Sequence, residues 1–288
     1  METFFQSLVS GLLTGSLYAM IAVGLTIIFG VMRIINMAHG EFVMLGMFGA
    51  YWSHTLWHLD PFISIVIWVP VMFAFGGAVH RFLLRRIIPG GELNTLLYTA
   101  GLSLLIANLA LLVWSGDYRN INLDYALRPA RPFGIAVPIP LAIAFGLAIA
   151  ITLALYFFLV RTDTGRAVRA TAQNPDAAAL MGVNVTRIEM ITFGLGSALA
   201  GAGGVLLAPS LYLYPTVGEI LSVKCFVIVV LGRLGSVPGA ILGGLLLALV
   251  ESFGAVYVSV AYKDVIGFVL FLLVLLFRPS GLWGTAKS

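Results

Sequence analysis

The chain has 288 residues, is 60% hydrophobic and only 10% charged, and carries 16 Lys and Arg against 12 Asp and Glu, a formal charge of +4. Soluble domains carry about 25% charged residues, so this composition cannot make a solvated surface and excludes a soluble globular protein. In a bilayer the backbone must satisfy its own hydrogen bonds, which leaves helices or a closed barrel. The apolar runs are continuous over roughly 17–25 residues and do not alternate, so helices are selected. The expected fold is an all-α polytopic transmembrane bundle of about eight to ten membrane segments, in one domain over residues 1–288.

In chain order, METFFQSLVSG lacks a basic stretch and a small-residue cleavage site, so it reads as the start of a first span and not a removed signal. Spans are predicted near Ser7–Val31, Ile34–Trp57, Phe62–Leu84, Leu93–Trp114, Pro138–Val160, Ile188–Ala208, Glu219–Leu231, Val237–Val258 and Val265–Phe277. The segment after Glu219 is short for a full crossing and suits a half-helix or re-entrant piece. Residues 115–137, rich in Asp, Asn, Arg and Pro, form a loop too short to be a separate domain. Two glycine-interrupted regions, Gly30–Gly49 and Gly232–Gly244, lie in opposite halves, a pattern that inverted-repeat transporters with broken helices show near their path.

The long polar break is Arg161–Arg187. Asn174 is a good N-cap, Pro175 suits the first helical position, and Asp176 favours the positive helix end. Gly182 offers a left-handed stop. Between them Ala177, Ala178, Ala179, Leu180 and Met181 make a small apolar knob shaped to dock in another protein's groove. Placing this loop in the cytoplasm puts Arg161, Arg166, Arg169, Arg187, Arg33, Arg81, Arg85, Arg86, Arg233, Arg278 and Lys287 on that side. Arg119, Arg128, Arg131 and Lys263 fall outside and Lys224 lies within the membrane. The C-terminus is then cytoplasmic, and the N-terminus external if every span crosses fully. This bias also explains the net positive charge without nucleic acid, since no basic run is interleaved with aromatics.

Ionisable groups at membrane depth face the bundle interior or a wet cavity. Asn36, His39 and Glu41 sit at the junction of the first two spans. His39 and Glu41 cannot share a helical face unless the helix breaks, and Gly40 permits a break. A broken helix lining a path is one outcome; an interfacial turn with an Arg33–Glu41 pair is the other. Lys224 needs a partner, and Glu251 in the following span can supply it; a structural ion pair accounts for the two more simply than contact with a solute. Thr95, Thr99 and Ser103 make a hydroxyl stripe on one helix face, suited to helix–helix hydrogen bonds or to a solute path. Gly194, Gly196, Gly201, Gly203 and Gly204 line one span and Gly235, Gly239, Gly243 and Gly244 another, spacings that let helices approach closely.

Absences narrow the function. No lysine follows a glycine, so there is no phosphate-binding P-loop; the G-x-S-x-G and H-E-x-x-H patterns are also missing, so the chain is not expected to be an enzyme. His54, His58 and His80 are scattered without ligand partners at suitable spacing, and no metal site is expected. Cys225 is the single cysteine, so no intrachain disulfide forms.

Four stretches, INMAHGEFVMLG (Ile35–Gly46), NPDAAALMGV, VIVVLGRLGSVPGAILGGLLLALVES (Val227–Ser252) and FRPSGLWG (Phe277–Gly284), resemble the branched-chain amino acid ABC transporter permeases, with the shorter LivH type fitting best by length. The resemblance implies an importer in the bacterial inner membrane. Its partners would be two cytoplasmic ATPases that bind ATP and magnesium, a second related permease in a heterodimer, and a periplasmic substrate-binding protein; this chain would bind no cofactor. Asp176–Gly182 matches the front of the family's E-A-A-x-x-x-G coupling loop, with Asp for Glu, so Asn174–Gly182 is the implied coupling helix. The downstream Ile-x-Leu-Pro is absent: Ile191 stands near its place and no proline follows. The implied cargo is a branched-chain or related amino acid, with urea, short amides, aromatic acids or other small carboxylates as alternatives. A proton-coupled carrier relaying through His39 and Glu41 is the reading from another class.

Overall fold

The computed structural model describes residues 2–127, 129–130, 134–278 and 281–282. Arg128, Arg131, Pro279, Ser280 and residues 283–288, Lys287 among them, lie outside the described residues. The helices are α1 (Glu2–Met32), α2 (His39–Trp57), α3 (Pro61–Val79), α4 (Arg85–Ile87), α5 (Glu92–Trp114), α6 (Ile139–Arg161), α7 (Asp163–Gln173), α8 (Pro175–Leu180), α9 (Val185–Leu207), α10 (Val217–Leu231), α11 (Val237–Tyr257) and α12 (Lys263–Phe277). A π-helical turn over His80–Leu84 joins α3 to α4, so Pro61–Ile87 is one continuous rod. Among the described residues the extended pairing is limited to two isolated bridges, Arg119 with Leu213 and Ala130 with Val137.

Among the described residues seven helices are long and apolar enough to cross a membrane: Glu2–Met32, Pro61–Ile87, Glu92–Trp114, Ile139–Arg161, Val185–Leu207, Val237–Tyr257 and Val260–Phe277. That is fewer than the eight to ten segments expected, because α2 carries His39, Glu41 and His54 among its apolar residues and α10 has only 15 residues. These two are nevertheless core elements: α2 packs on α9 and α10, and most of its first fifteen residues are buried. The apolar windows of α1 and α9 are 78% and 83% buried, against 6% for Val260–Phe277, so α1 and α9 form the centre and α12 lines the periphery.

Caps place the helix ends. Asp60 accepts from the Phe62 amide at 2.9 Å with Pro61 following; Asn184 accepts from Arg187 N at 3.0 Å; Ser236 accepts from Gly239 N at 3.2 Å. Each satisfies an amide that the first helical turn leaves free. The bundle has two chemically distinct ends. One gathers α7, α8 and the arginines at 33, 81, 85, 161 and 233. At the other, Gln6 pairs with the Ala136 backbone, Ser252 donates to Ser7 O, and Tyr125 donates to Asp60 Oδ2 at 2.8 Å. Burial, reinforced by the Asp60 carboxylate, pushes the Tyr125 phenol above its ordinary range.

Glycines set the central crossings, as their spacing predicts. A side chain on Gly46 would run into the Gly201 backbone, and one on Gly204 into the Val43 carbonyl, so α2 and α9 touch backbone to backbone. Gly235, placed by its spacing within a span, instead precedes α11 at φ +80, in a left-handed turn that glycine adopts freely. Gly46→Leu should wedge α2 from α9 and lower stability by about 1–3 kcal/mol or more; a thermal melt of the purified chain in detergent checks this, and an unchanged melt would contradict the crossing.

Candidate translocation path and coupling helix

α1 ends at Met32, and the next residue, Arg33, with φ of +53, turns the chain back on itself. Residues 33–36 are non-helical and run back into the bundle until α2 begins at His39. His39 Nε2, as the N–H tautomer, donates to Ile21 O at 3.0 Å. Ile21 lies about 17 Å along α1 from its Met32 end, so α2 starts deep in the core. Residues outside the segment hold this returning backbone. Thr99 Oγ1 lies 3.1 Å from Ile35 O and accepts from Met37 N at 3.3 Å; Ser222 Oγ donates to Met37 O and accepts from Gly40 N, both at 2.8 Å. Asn36 Oδ1 accepts from Ala38 N at 3.2 Å, an Asx turn that starts the next helix.

The helix is therefore broken over residues 33–38, and Gly40, expected to permit the break, instead lies inside α2 where a side chain would run into the Gly218 carbonyl. Glu41 does not pair with Arg33, as one reading of the sequence allowed: Glu41 is fully buried and Arg33 exposed, because the chain reversal carries them apart. Glu41 Oε1 accepts from Ser103 Oγ at 3.2 Å, while Oε2 has no hydrogen-bond partner and packs on Gly218. Its place in the first turn of α2 lends it the positive end of the helix dipole. The hydroxyl stripe of α5 is thus divided: Thr99 and Ser103 grip the junction, while Thr95 bonds its own helix at Gly91 O. Beside the junction Met37, Glu219, Ile220 and Val223 are exposed, so a half-satisfied carboxylate lies one layer below an open, mainly apolar strip.

Lys224 lies on the side of α10 away from Ser222, since two residues advance a helix by about 200°. Its ammonium contacts Glu251 at 2.8 and 2.9 Å, Asp264 at 2.8 Å and the Tyr18 hydroxyl at 3.3 Å, and its charge lies 5.2 Å from the Tyr18 ring centre. This buried cluster ties α1, α10, α11 and α12 together.

At the arginine-rich end, α7 is capped by Thr162, which accepts from Gly165 N at 3.0 Å. Gly165 lies so close to the Phe158 carbonyl and Leu159 that any side chain would clash, and this lets α7 fold back on α6. Asn174 then accepts from Ala177 N at 3.0 Å with Pro175 at the start of α8. Gly182, at φ +86, donates to Ala179 O, and Val183 donates to Ala178 O, both at 3.0 Å, which is the Schellman stop. Ala178 is buried and fixes α8 to the body; Leu180 and Met181 are 89% and 84% exposed. A rigid, capped turn thus holds two large apolar side chains out in water.

The family model described as "Branched-chain amino acid transport system / permease component" matches residues 7–275. The chain belongs to this permease family. The high-affinity branched-chain amino acid transport system permease protein BraD of Pseudomonas aeruginosa is 34% identical over 294 residues, covering 98% of this chain and 96% of its own. LivH of Escherichia coli, a protein of the same description, is 32% identical with the same coverage. The ribose import permease RbsC of Escherichia coli is 24% identical over 74% of this chain and 69% of its own. No solved structure matches the chain.

In the permease, several participants were not singled out from sequence. Ser222 carried no signal alone, although Gly218 and Ser222, four apart on one helix face, place a gap and a hydroxyl together. Asp264 reads as an ordinary acid in the first turn of a helix, and Tyr18 as one aromatic among many. Of the scattered histidines, His54 Nδ1 lies 3.1 Å from Leu59 O, His58 closes α2 in a left-handed conformation, and His80 lies 3.7 Å from Glu189. Among the described residues no three His, Cys, Asp or Glu gather within metal-binding range.

Proposed function

We propose that the permease is the membrane-spanning subunit of an ATP-driven importer of branched-chain or related amino acids in the bacterial inner membrane. Two cytoplasmic ATPases would hold ATP and magnesium, a second related permease would complete a heterodimeric channel, and a periplasmic binding protein would deliver cargo. The seven long helices together with α2 and α10 make nine membrane segments, with the N-terminus external and the arginine-rich end and C-terminus cytoplasmic. The observation that carries this reading is α8, a stiff, double-capped turn that presents Leu180 and Met181 to water with none of the described residues covering them. Exposed apolar groups on a rigid support mark a docking site.

In this assignment Asn174–Gly182 couples ATPase closure to movement of the helices. The path runs beside the exposed strip of α10, the break before α2 and the first turn of α2 from His39 to Glu41, between this chain and the second permease. Thr99 and Ser103 shape that wall through the junction, whereas Lys224 and Glu251 hold the bundle together. Cargo is the least constrained element, since a permease with a different named solute, ribose, is also similar to this chain. Urea, short amides or small carboxylates fit the same machine. A proton carrier working through His39 and Glu41 would leave α8 without a role.

Affinity purification of the tagged permease in mild detergent, followed by mass spectrometry, tests the assignment. Two ATPases and a second permease are the expected companions. A chain that emerges alone, and moves solute into proteoliposomes without ATP, would establish the carrier instead.

A further inference from the structure

A cleft of about 570 Å³ opens between α1, α6, α7 and the start of α11, at the arginine-rich end. That volume lies in the range of ligand sites. Its walls are hydrocarbon: Ile27, Val31, Leu155, Val168 and Ile241 face it. Of the three hydroxyls in the lining, Thr26 donates to Ala22 O and Thr152 to Ala148 O, both at 2.8 Å, and the third belongs to Tyr156 at the exposed rim. Away from the Tyr156 rim and the Arg169 end, a polar solute would meet only hydrocarbon and engaged hydroxyls, and most of its desolvation would go uncompensated. The rim residues Leu153 and Tyr156 are exposed on the outer side of α6, so the cleft opens sideways, toward lipid.

One charged side chain lines it. Arg169 Nη1 donates to Leu159 O at 2.6 Å, which fixes the guanidinium over the end of α6, and its other N–H groups remain available. Among the described residues no carboxylate lies within ion-pair distance of Arg169, whereas its neighbour Arg166 is paired with Asp163. An apolar slot open to the bilayer, with an unneutralised arginine at its polar end, is complementary to an anionic phospholipid: acyl chain in the slot, phosphate on the guanidinium.

We infer that this cleft is a binding site for one anionic phospholipid. The inference needs only that the chain sits in a bilayer, and does not depend on cargo or partners. Hydrocarbon gains little on moving from the bilayer into the slot, so selectivity comes from the headgroup contact. α7 forms one wall and leads directly into α8, so the lipid would brace the base of the docking turn.

The test is native mass spectrometry of the purified full-length chain, alone and co-purified with its membrane-complex partners, titrated with phosphatidylglycerol or phosphatidylcholine. The wild type should retain a single phosphatidylglycerol with about fivefold preference, the ratio equivalent to ~1 kcal/mol for one arginine at an anionic surface. Gly30→Leu fills the slot: a Cβ there meets only the Gly235 backbone, at 3.9 Å, so the helix tolerates it. It should lose tight binding of both lipids. Arg169→Gln, at an exposed position, should keep one lipid but bind the two headgroups equally. Undiminished lipid on Gly30→Leu, a preference that survives Arg169→Gln, or a lipid present on the lone chain and absent from the assembled complex would each overturn the inference, the last by showing that protein fills the cleft.

Discussion

Ala179→Glu is expected to abolish uptake while leaving the permease in the membrane at wild-type levels. Ala179 is exposed on α8, one residue from the buried Ala178 that anchors the turn, so a longer side chain there does not disturb the fold. It does place a charge among Leu180 and Met181. A charge desolvated without a partner costs several kcal/mol, and loss of a central apolar anchor typically costs 2 kcal/mol or more, about thirtyfold in affinity. Co-purification of the ATPases and uptake by intact cells should therefore fall together. Leu180→Asp should act alike, whereas Gln173→Glu, exposed but before the cap, should not. Normal uptake by Ala179→Glu would remove α8 from the coupling role.

The second large effect concerns Lys224. Lys224→Met leaves Glu251, which is buried, and Asp264 facing each other without the cation they share. Removing one partner of a buried pair costs about 3–5 kcal/mol. Thermal unfolding in detergent should show that loss. Adding Glu251→Gln and Asp264→Asn should recover much of it, because the uncompensated negative charges are then gone. If Lys224→Met instead melted like the wild type but failed to transport, Lys224 would be a solute contact and not a structural tie.

The arrangement of charges explains what could be foreseen. Helix positions, though not the number of spans, the capped turn from Asn174 to Gly182 and the Lys224–Glu251 pair were legible because each follows a local rule: apolar length, cap chemistry, and the cost of a lone charge in hydrocarbon. The independence of α7 was not. Its Thr162 cap and Gly165 reversal depend on the approach of Phe158 and Leu159, which no spacing announces. Likewise the choice between an Arg33–Glu41 pair and a broken helix was open in the sequence, since both suit Gly40. It was decided by tertiary contacts, the Ile21 carbonyl meeting His39 and Ser222 meeting Gly40, that lie 18 and 182 residues apart in the chain. Asp264 escaped for the same reason: its partner comes from two helices earlier.

The non-helical stretch before α2 has one more implication. Backbone that leaves a helix inside a bilayer has no water to turn to, and its amides and carbonyls remain costly unless something polar reaches them. Here Thr99 and Ser222 do so, each serving one carbonyl and one amide. Two hydroxyls thus act as an internal solvent, made of side chains and carried on neighbouring helices. Because α5 and α10 supply it from either side, a shift of one relative to the other would strip this segment of half its solvation at once. The segment is therefore tied to the separation of its two neighbours, and any motion that parts them must bring water, or a polar passenger, into the space left behind.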